Sequence, residues 1–315
     1  MSDIGSWNAL NTLGAVCLHL VLLPNNKLLC QERPRPPPFP MNPYTGGSMI
    51  TEISLLDESG NYNPKFQRVP LPTSAFCGGH AQRADGSILL VGGDVTSIPN
   101  VVGDGTKGKR IYTPCAEKDC KGEWSILPDM ENGRWYPTVI TLADGKQIII
   151  SGVYDYLDPA KNNNNPTYEY YPRKPGKGEI ELEILKWAFP FHLYPPAFQM
   201  PLGDVFLFVS NKSVMLNTQT EQVRNSIPDL VDDDHKPWIY PFSPSMLMLP
   251  LSPRNNYRAT LMICGGSKRT SEDASSHCYQ ITPEDTSPEW KRVQDMPHAR
   301  VMNDGILVGF PCIIV

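Results

Sequence analysis

The chain has no basic excess: 28 Lys and Arg stand against 33 Asp and Glu among 315 residues, a formal net charge of −5. A nucleic-acid partner calls for a positive face, so nucleic-acid binding is excluded as the main role. No apolar run reaches membrane-spanning length, which excludes a transmembrane helix. The eight cysteines include no Cys-x-x-Cys pair, so they point to neither a structural zinc site nor a disulfide-dense scaffold. Long helices are also excluded, because 32 prolines and 24 glycines, well above average usage, interrupt the chain throughout. What remains is a 40% hydrophobic sequence with enough length to bury a large core as one β domain.

What is present is repetition. A short apolar strand, a tight turn of Asn, Asp or Gly, and a second apolar strand recur along the chain. The turns lie at Asn25-Asn26, Asp85-Gly86, Asp144-Gly145, Gly203-Asp204 and Asn255-Asn256, with first positions 60, 59, 59 and 52 residues apart. Such dipeptides between β-branched strands specify hairpins. Third strands are expected at Ile53 to Leu56, Arg110 to Tyr112, Tyr168 to Tyr171, Ser213 to Leu216 and Cys278 to Ile281. Trp124 and Trp290 occupy matching places as outer-strand tryptophans. The period is that of kelch-type blades, so the expected fold is an all-β, kelch-like β-propeller. Residues 1–315 then form a single propeller domain of about five and a half blades. The ring is incomplete, and the domain is truncated at its C-terminal end inside a sixth copy that begins at Val301. The apolar stretch Leu13 to Leu23, with no preceding Lys or Arg and with Cys17 and His19 inside it, reads as a buried strand rather than a signal core.

Counting back eight residues from successive turns reaches Cys17, Cys77, Tyr136 and Pro195. Cys77 and Tyr136 therefore begin equivalent inner strands of consecutive blades. Around them stand Phe76-Cys77-Gly78-Gly79, Arg134-Trp135-Tyr136-Pro137-Thr138, Tyr194-Pro195 and Asn211-Lys212-Ser213. Further along come Pro228-Asp229-Leu230, Tyr240-Pro241, Met248-Leu249-Pro250-Leu251, Cys264-Gly265-Gly266-Ser267 and Arg300-Val301-Met302. In this order the motifs resemble the glyoxal oxidase group of copper radical oxidases, relatives of galactose oxidase, over about Trp7 to Met302. The resemblance implies that Cys77 and Tyr136 form a thioether-linked radical cofactor, with Tyr136 also a Cu(II) ligand. Two histidines and a second tyrosine complete the copper set in the family's later blades, and none of the six histidines here follows a tyrosine. The implied reaction is oxidation of a small aldehyde, or a primary alcohol, with O2 reduced to H2O2 in an extracellular setting. This chain by itself is then expected to bind little or no copper and to be inactive. The reading from a different class is a non-catalytic propeller whose loops bind a protein or glycan partner.

The remaining candidates have simpler readings. Cys115 and Cys120 either close a small disulfide loop or remain two thiols. His80 reads as a solvated or hydrogen-bonded loop histidine, and His298, at the start of the last repeat and near the axis, as a residue with no ligand role. Trp135 either shields Tyr136 or packs between blades. Asp232-Asp233-Asp234-His235 is read as a solvated charged loop, and Asn162 to Asn165 as an exposed polar insertion. Asn211-Lys212-Ser213 is an N-glycosylation sequon with meaning only in a secreted protein, whereas proline excludes Asn165-Pro166-Thr167.

Overall fold

The computed structural model describes residues 16–34, 50–57, 59–96, 98, 102–117, 120–156, 158, 160–232, 240–267, 273–307 and 313–314. The fold is all-β, with five four-stranded antiparallel sheets arranged as blades of a propeller fold. The first sheet is β1 (His19–Leu22), β2 (Leu28–Gln31), β3 (Ile50–Leu56) and β4 (Tyr62–Arg68). The second is β5 (Gly79–Gln82), β6 (Ile88–Val91), β7 (Lys109–Thr113) and β8 (Glu123–Leu127). The third is β9 (Thr138–Thr141), β10 (Gln147–Ile150), β11 (Thr167–Tyr171) and β12 (Ile180–Glu181), followed by the short helix α1 (Glu183–Ala188). The fourth is β13 (Ala197–Gln199), β14 (Asp204–Val209), β15 (Lys212–Asn217) and β16 (Val223–Arg224). The fifth is β17 (Ser245–Met248), β18 (Leu261–Cys264), β19 (Cys278–Ile281) and β20 (Lys291–Arg292). A final pair, β21 (Ile306–Leu307) and β22 (Ile313–Ile314), stands in the sixth copy.

The hairpins form where the turn chemistry places them. Asn25, Asp85 and Asp144 each accept, on a side-chain oxygen, the backbone N–H two residues later, the local bond that makes Asx residues turn formers. Gly86, Gly145 and Gly203 follow with φ of 82°, 82° and 101°, a region costly for a residue with a Cβ. In the second, third and fourth blades the second strand of the hairpin is covered on both faces: every residue of β6, β10 and β14 is buried. Each such Val, Leu, Ile or Phe contributes about 1.5–3 kcal/mol by leaving water.

The chain divides into two compact units, residues 1–78 with 84–135, and residues 79–83 with 136–315. In the first, Leu29, Ile50, Val69, Ile88, Leu90 and Tyr112 form the core, with Trp124 packed against it. The Trp124 indole N–H donates to the Val69 carbonyl at 3.0 Å. The second holds a core around Ile148, Ile150, Tyr168 and Leu207, another around Phe206, Phe208, Leu261 and Ile263, and a smaller cluster of Cys264, Cys278 and Met296. There the Trp290 indole donates to the Pro228 carbonyl at 3.0 Å, repeating the role of Trp124.

Several expectations are corrected. Strand β1 is not buried: Leu18, Leu20 and Leu22 are 44%, 49% and 62% exposed. It is the edge of its sheet, so period-2 alternation sends Val21 into the core and these leucines to the opposite face. Residues 13–15 of that stretch lie outside the described residues. Disulfides are also more numerous than the cysteine spacing indicated. Cys115 and Cys120 are bonded, and Cys17–Cys30 and Cys264–Cys278 are bonded too. Asn163, Asn164 and Asn165 are not an exposed insertion. They are buried, the Asn164 amide donating to the Leu185 carbonyl at 3.2 Å and Asn165 accepting from the Thr167 hydroxyl at 2.6 Å. Hydrogen bonding makes such burial tolerable.

Candidate active site

One backbone position recurs at the entry to the blades. Nine residues before the left-handed turn glycines Gly86, Gly145 and Gly203 stand Cys77, Tyr136 and Tyr194, whose own φ values are 54°, 66° and 46°. Left-handed backbone at a non-glycine residue costs on the order of 1–3 kcal/mol and needs fixed surroundings. Hydrogen bonding supplies them in part: the Tyr194 N–H donates to the Tyr136 carbonyl at 3.1 Å, and the Met302 N–H, at φ 52°, donates to the Ser243 carbonyl at 3.0 Å. The fourth blade carries Tyr194 in this slot, not Pro195. Its turn is Leu202-Gly203, with the glycine second as in Asp144-Gly145, which moves the count by one residue.

In the first unit, Cys77 is 3% exposed and carries a thiol outside the three disulfides. The preceding Phe76 lies under the Arg33 guanidinium at 4.6 Å, and Arg33 also faces Asp94 at 3.7 Å. The following Gly78 is required by space, because a Cβ there would stand 2.5 Å from the Val91 carbonyl oxygen. Arg134, just before the Trp135-Tyr136 pair, is fully buried, its N–H donating to the Thr106 carbonyl and its carbonyl accepting from Gly93. Trp135 is half-buried.

In the second unit, Tyr136 belongs to a box of three tyrosines. Its ring centroid is 5.4 Å from Tyr194, edge-on, and 5.1 Å from Tyr240, tilted by 43°, while Tyr194 and Tyr240 are 5.1 Å apart at 86°. These are favourable quadrupole geometries, each worth about 0.5–1.5 kcal/mol beyond burial. Beside the box lies an open pocket lined by His192, Tyr194, Ser210, Tyr240 and Ser243 among others. His192 is buried, with Nε2 3.2 Å from the Gly152 carbonyl oxygen, which can only accept, so that nitrogen carries the proton. Burial pushes its pKa down to about 4. Neither Tyr240 nor His192 was marked by any repeat position; the tyrosine box depends on loops without periodicity.

His80 is corrected from a loop residue to a member of strand β5, and burial lowers it to about 4. His298, expected near the axis, is exposed. Asp232 is corrected from a solvated position: it is 2% exposed and accepts from the Tyr279 hydroxyl at 2.7 Å and from His277 Nδ1 at 2.9 Å. Both donors reach the same oxygen, Oδ1, and offset part of the cost of burying the carboxylate. Asp233, Asp234 and His235 lie outside the described residues.

For a copper ion the donors present fall short. Tyr136 offers one phenol oxygen, but among the described residues no group of three or more His, Cys, Asp or Glu could hold a metal ion. Copper(II) in a tetragonal nitrogen and oxygen site needs more than this, so these residues alone do not fit the ion.

The fold and the ordered motifs together define a propeller of the oxidase type. The glyoxal oxidase N-terminus family matches residues 58–315, and the chain belongs to that family. It is 32% identical over 268 residues to an aldehyde oxidase GLOX of Vitis pseudoreticulata, covering 81% of this chain and 46% of that protein. A WSC domain-containing protein of Arthroderma benhamiae is 28% identical over 261 residues, covering 80% of this chain and 26% of its own length. Aldehyde oxidase GLOX1 of Arabidopsis thaliana is 26% identical over 257 residues, covering 76% and 38%. The chain thus spans about half or less of the length of these relatives. Among solved structures, a fungal alcohol oxidase of the AA5 family in complex with copper superposes with a TM-score of 0.69 at 16% identity, over 96% of this chain and 59% of that one. That likeness concerns the fold.

Proposed function

We propose that this chain is the propeller portion of a copper radical oxidase acting on small aldehydes or primary alcohols, with Cys77 and Tyr136 as its cross-linked cofactor residues. The observation that carries the reading is the shared left-handed backbone of Cys77 and Tyr136 at equivalent entries of consecutive blades. Strain repeated at two such positions, one a buried thiol and one a phenol, is the kind of cost that function maintains. The cross-link joins Cys77 Sγ to the Tyr136 ring carbon beside the hydroxyl-bearing carbon. One S–H and one C–H hydrogen leave, and O2 takes the two electrons and two protons to become H2O2.

Copper, held by a fuller ligand set than the described residues provide, would supply one of the two oxidising equivalents for substrate oxidation. The chain's own residues do the rest. Tyr136 offers its phenol oxygen as ligand, and its sulfur-substituted ring is easier to oxidise. Tyr194 and Tyr240 pack against the half-buried ring, and both also line the neighbouring pocket, which would receive a small substrate. Three disulfides favour an oxidising compartment, which supports the extracellular reading.

In a form of the protein extended to the relatives' full length, copper loading in air is expected to lower the intact mass by about two daltons and to give one cross-linked Cys77–Tyr136 peptide, as cofactor maturation requires. Cys77→Ala should abolish the mass change and most H2O2 production. Tyr136→Phe should do the same and also weaken copper binding further. The 315-residue chain alone should retain little copper after dialysis. Near-normal turnover in both variants, or a linked peptide that omits either residue, would overturn the proposal.

A further inference from the structure

The sequon Asn211-Lys212-Ser213 occupies a tight turn and a strand start. Ser210 and Asn211 form the two-residue connection between β14 and β15, closed by the pairing of Val209 with Lys212. Ser210 lies at φ 58°. The Asn211 carbonyl is engaged by the Leu230 N–H at 2.8 Å, but its side-chain amide has no hydrogen-bond partner among the described residues, and the residue is half-exposed. Lys212 is held from two sides, its Nζ 4.6 Å over the Trp187 ring and 3.2 Å from Asp229. The asparagine is therefore presented on a backbone fixed before and after it.

Ser213 is the more telling residue. It is 4% exposed, pairs with Phe208 across the sheet, and its hydroxyl has no hydrogen-bond partner among the described residues. A buried, unbonded hydroxyl destabilises a strand, and alanine or valine would suit this apolar setting better. The folded state gives the oxygen nothing to do. The sequon does, since glycosyl transfer needs a hydroxyl at the third position while the chain is still extended, before β15 closes over it. The three disulfides are independent evidence for an oxidising compartment, as the secretory route is.

We propose that Asn211 is an N-glycosylation site bearing a secretory-pathway oligosaccharide, one residue from the pocket wall formed by Ser210, Tyr194 and Tyr240. The donor is a lipid-linked oligosaccharide diphosphate. Asn211 Nδ2 bonds to the anomeric carbon of the terminal N-acetylglucosamine, the carbon–oxygen bond to the diphosphate breaks, the lipid diphosphate leaves, and the amide loses one proton. The site stands whether or not the copper reading holds.

The test is to produce the chain behind a cleavable secretion leader in a eukaryotic host and to collect both the endoplasmic-reticulum and medium fractions. Peptide N-glycosidase F in 18O-water should convert Asn211 to labelled aspartate in the majority of molecules. Ser213→Thr should keep the modification, whereas Asn211→Gln and Ser213→Ala should lose it. Ser213→Ala should also melt no lower than enzymatically deglycosylated parent protein, because the hydroxyl contributes nothing to the fold. Unlabelled Asn211 in both fractions would overturn the proposal. A Ser213→Ala protein that melts several degrees below the deglycosylated parent, or fails to fold, would overturn the argument from Ser213.

Discussion

A buried and a half-buried histidine set an acid limit for the protein at the level of single residues. His80 and His192 are both lowered by burial from 6.5 to about 4. Between pH 6.5 and 4 the unfolded chain binds protons that the folded chain refuses, so the stability these groups support is complete above pH 6.5 and falls as pH drops. For His192 alone the loss across that window is roughly 3 kcal/mol. The melting temperature should therefore decline between pH 7 and pH 4. His192→Gln, which keeps a donor for the Gly152 carbonyl, should flatten that decline when melting curves are compared across pH. An unchanged slope would remove His192 as the cause.

Among the elements, the hairpins were legible because everything that makes them is local. Asp85, Asp144 and Asn25 bond their own turns, and the third strands follow by simple pairing. The fourth blade was misplaced by one residue because Gly203 was taken as the first turn residue, whereas its left-handed φ makes it the second. The three tyrosines of the box stood in the quoted motifs, but their gathering at one place was not legible. Tyr240 reaches Tyr136 across 104 residues, and nothing in a one-dimensional pattern encodes that approach. The outer-strand tryptophans were found from their echo, and their role can be weighed. Trp124→Phe should cost about 1–2 kcal/mol, because the buried Val69 loses the donor to its carbonyl. Trp290→Phe should cost less, since Pro228 is exposed and water replaces the indole. Denaturant titration of both variants would check the order.

For the whole molecule, covalent links matter as much as the cores. Cys17–Cys30 and Cys264–Cys278 close segments of 13 and 14 residues, for which loop entropy gives about 3 kcal/mol each. Reduction should lower the melting temperature markedly and make yield in a reducing cytosol poor, which calorimetry with and without reductant would measure. An equal melting temperature in both states would show the links to be dispensable. The recurring left-handed entry residue has a different consequence. It is an address, written at the entries of the second, third and fourth blades, at which the chain accepts a thiol at 77 and phenols at 136 and 194. Chemistry can be rewritten at such an address without disturbing the text around it, so new reactivity and old architecture are free to evolve on separate lines.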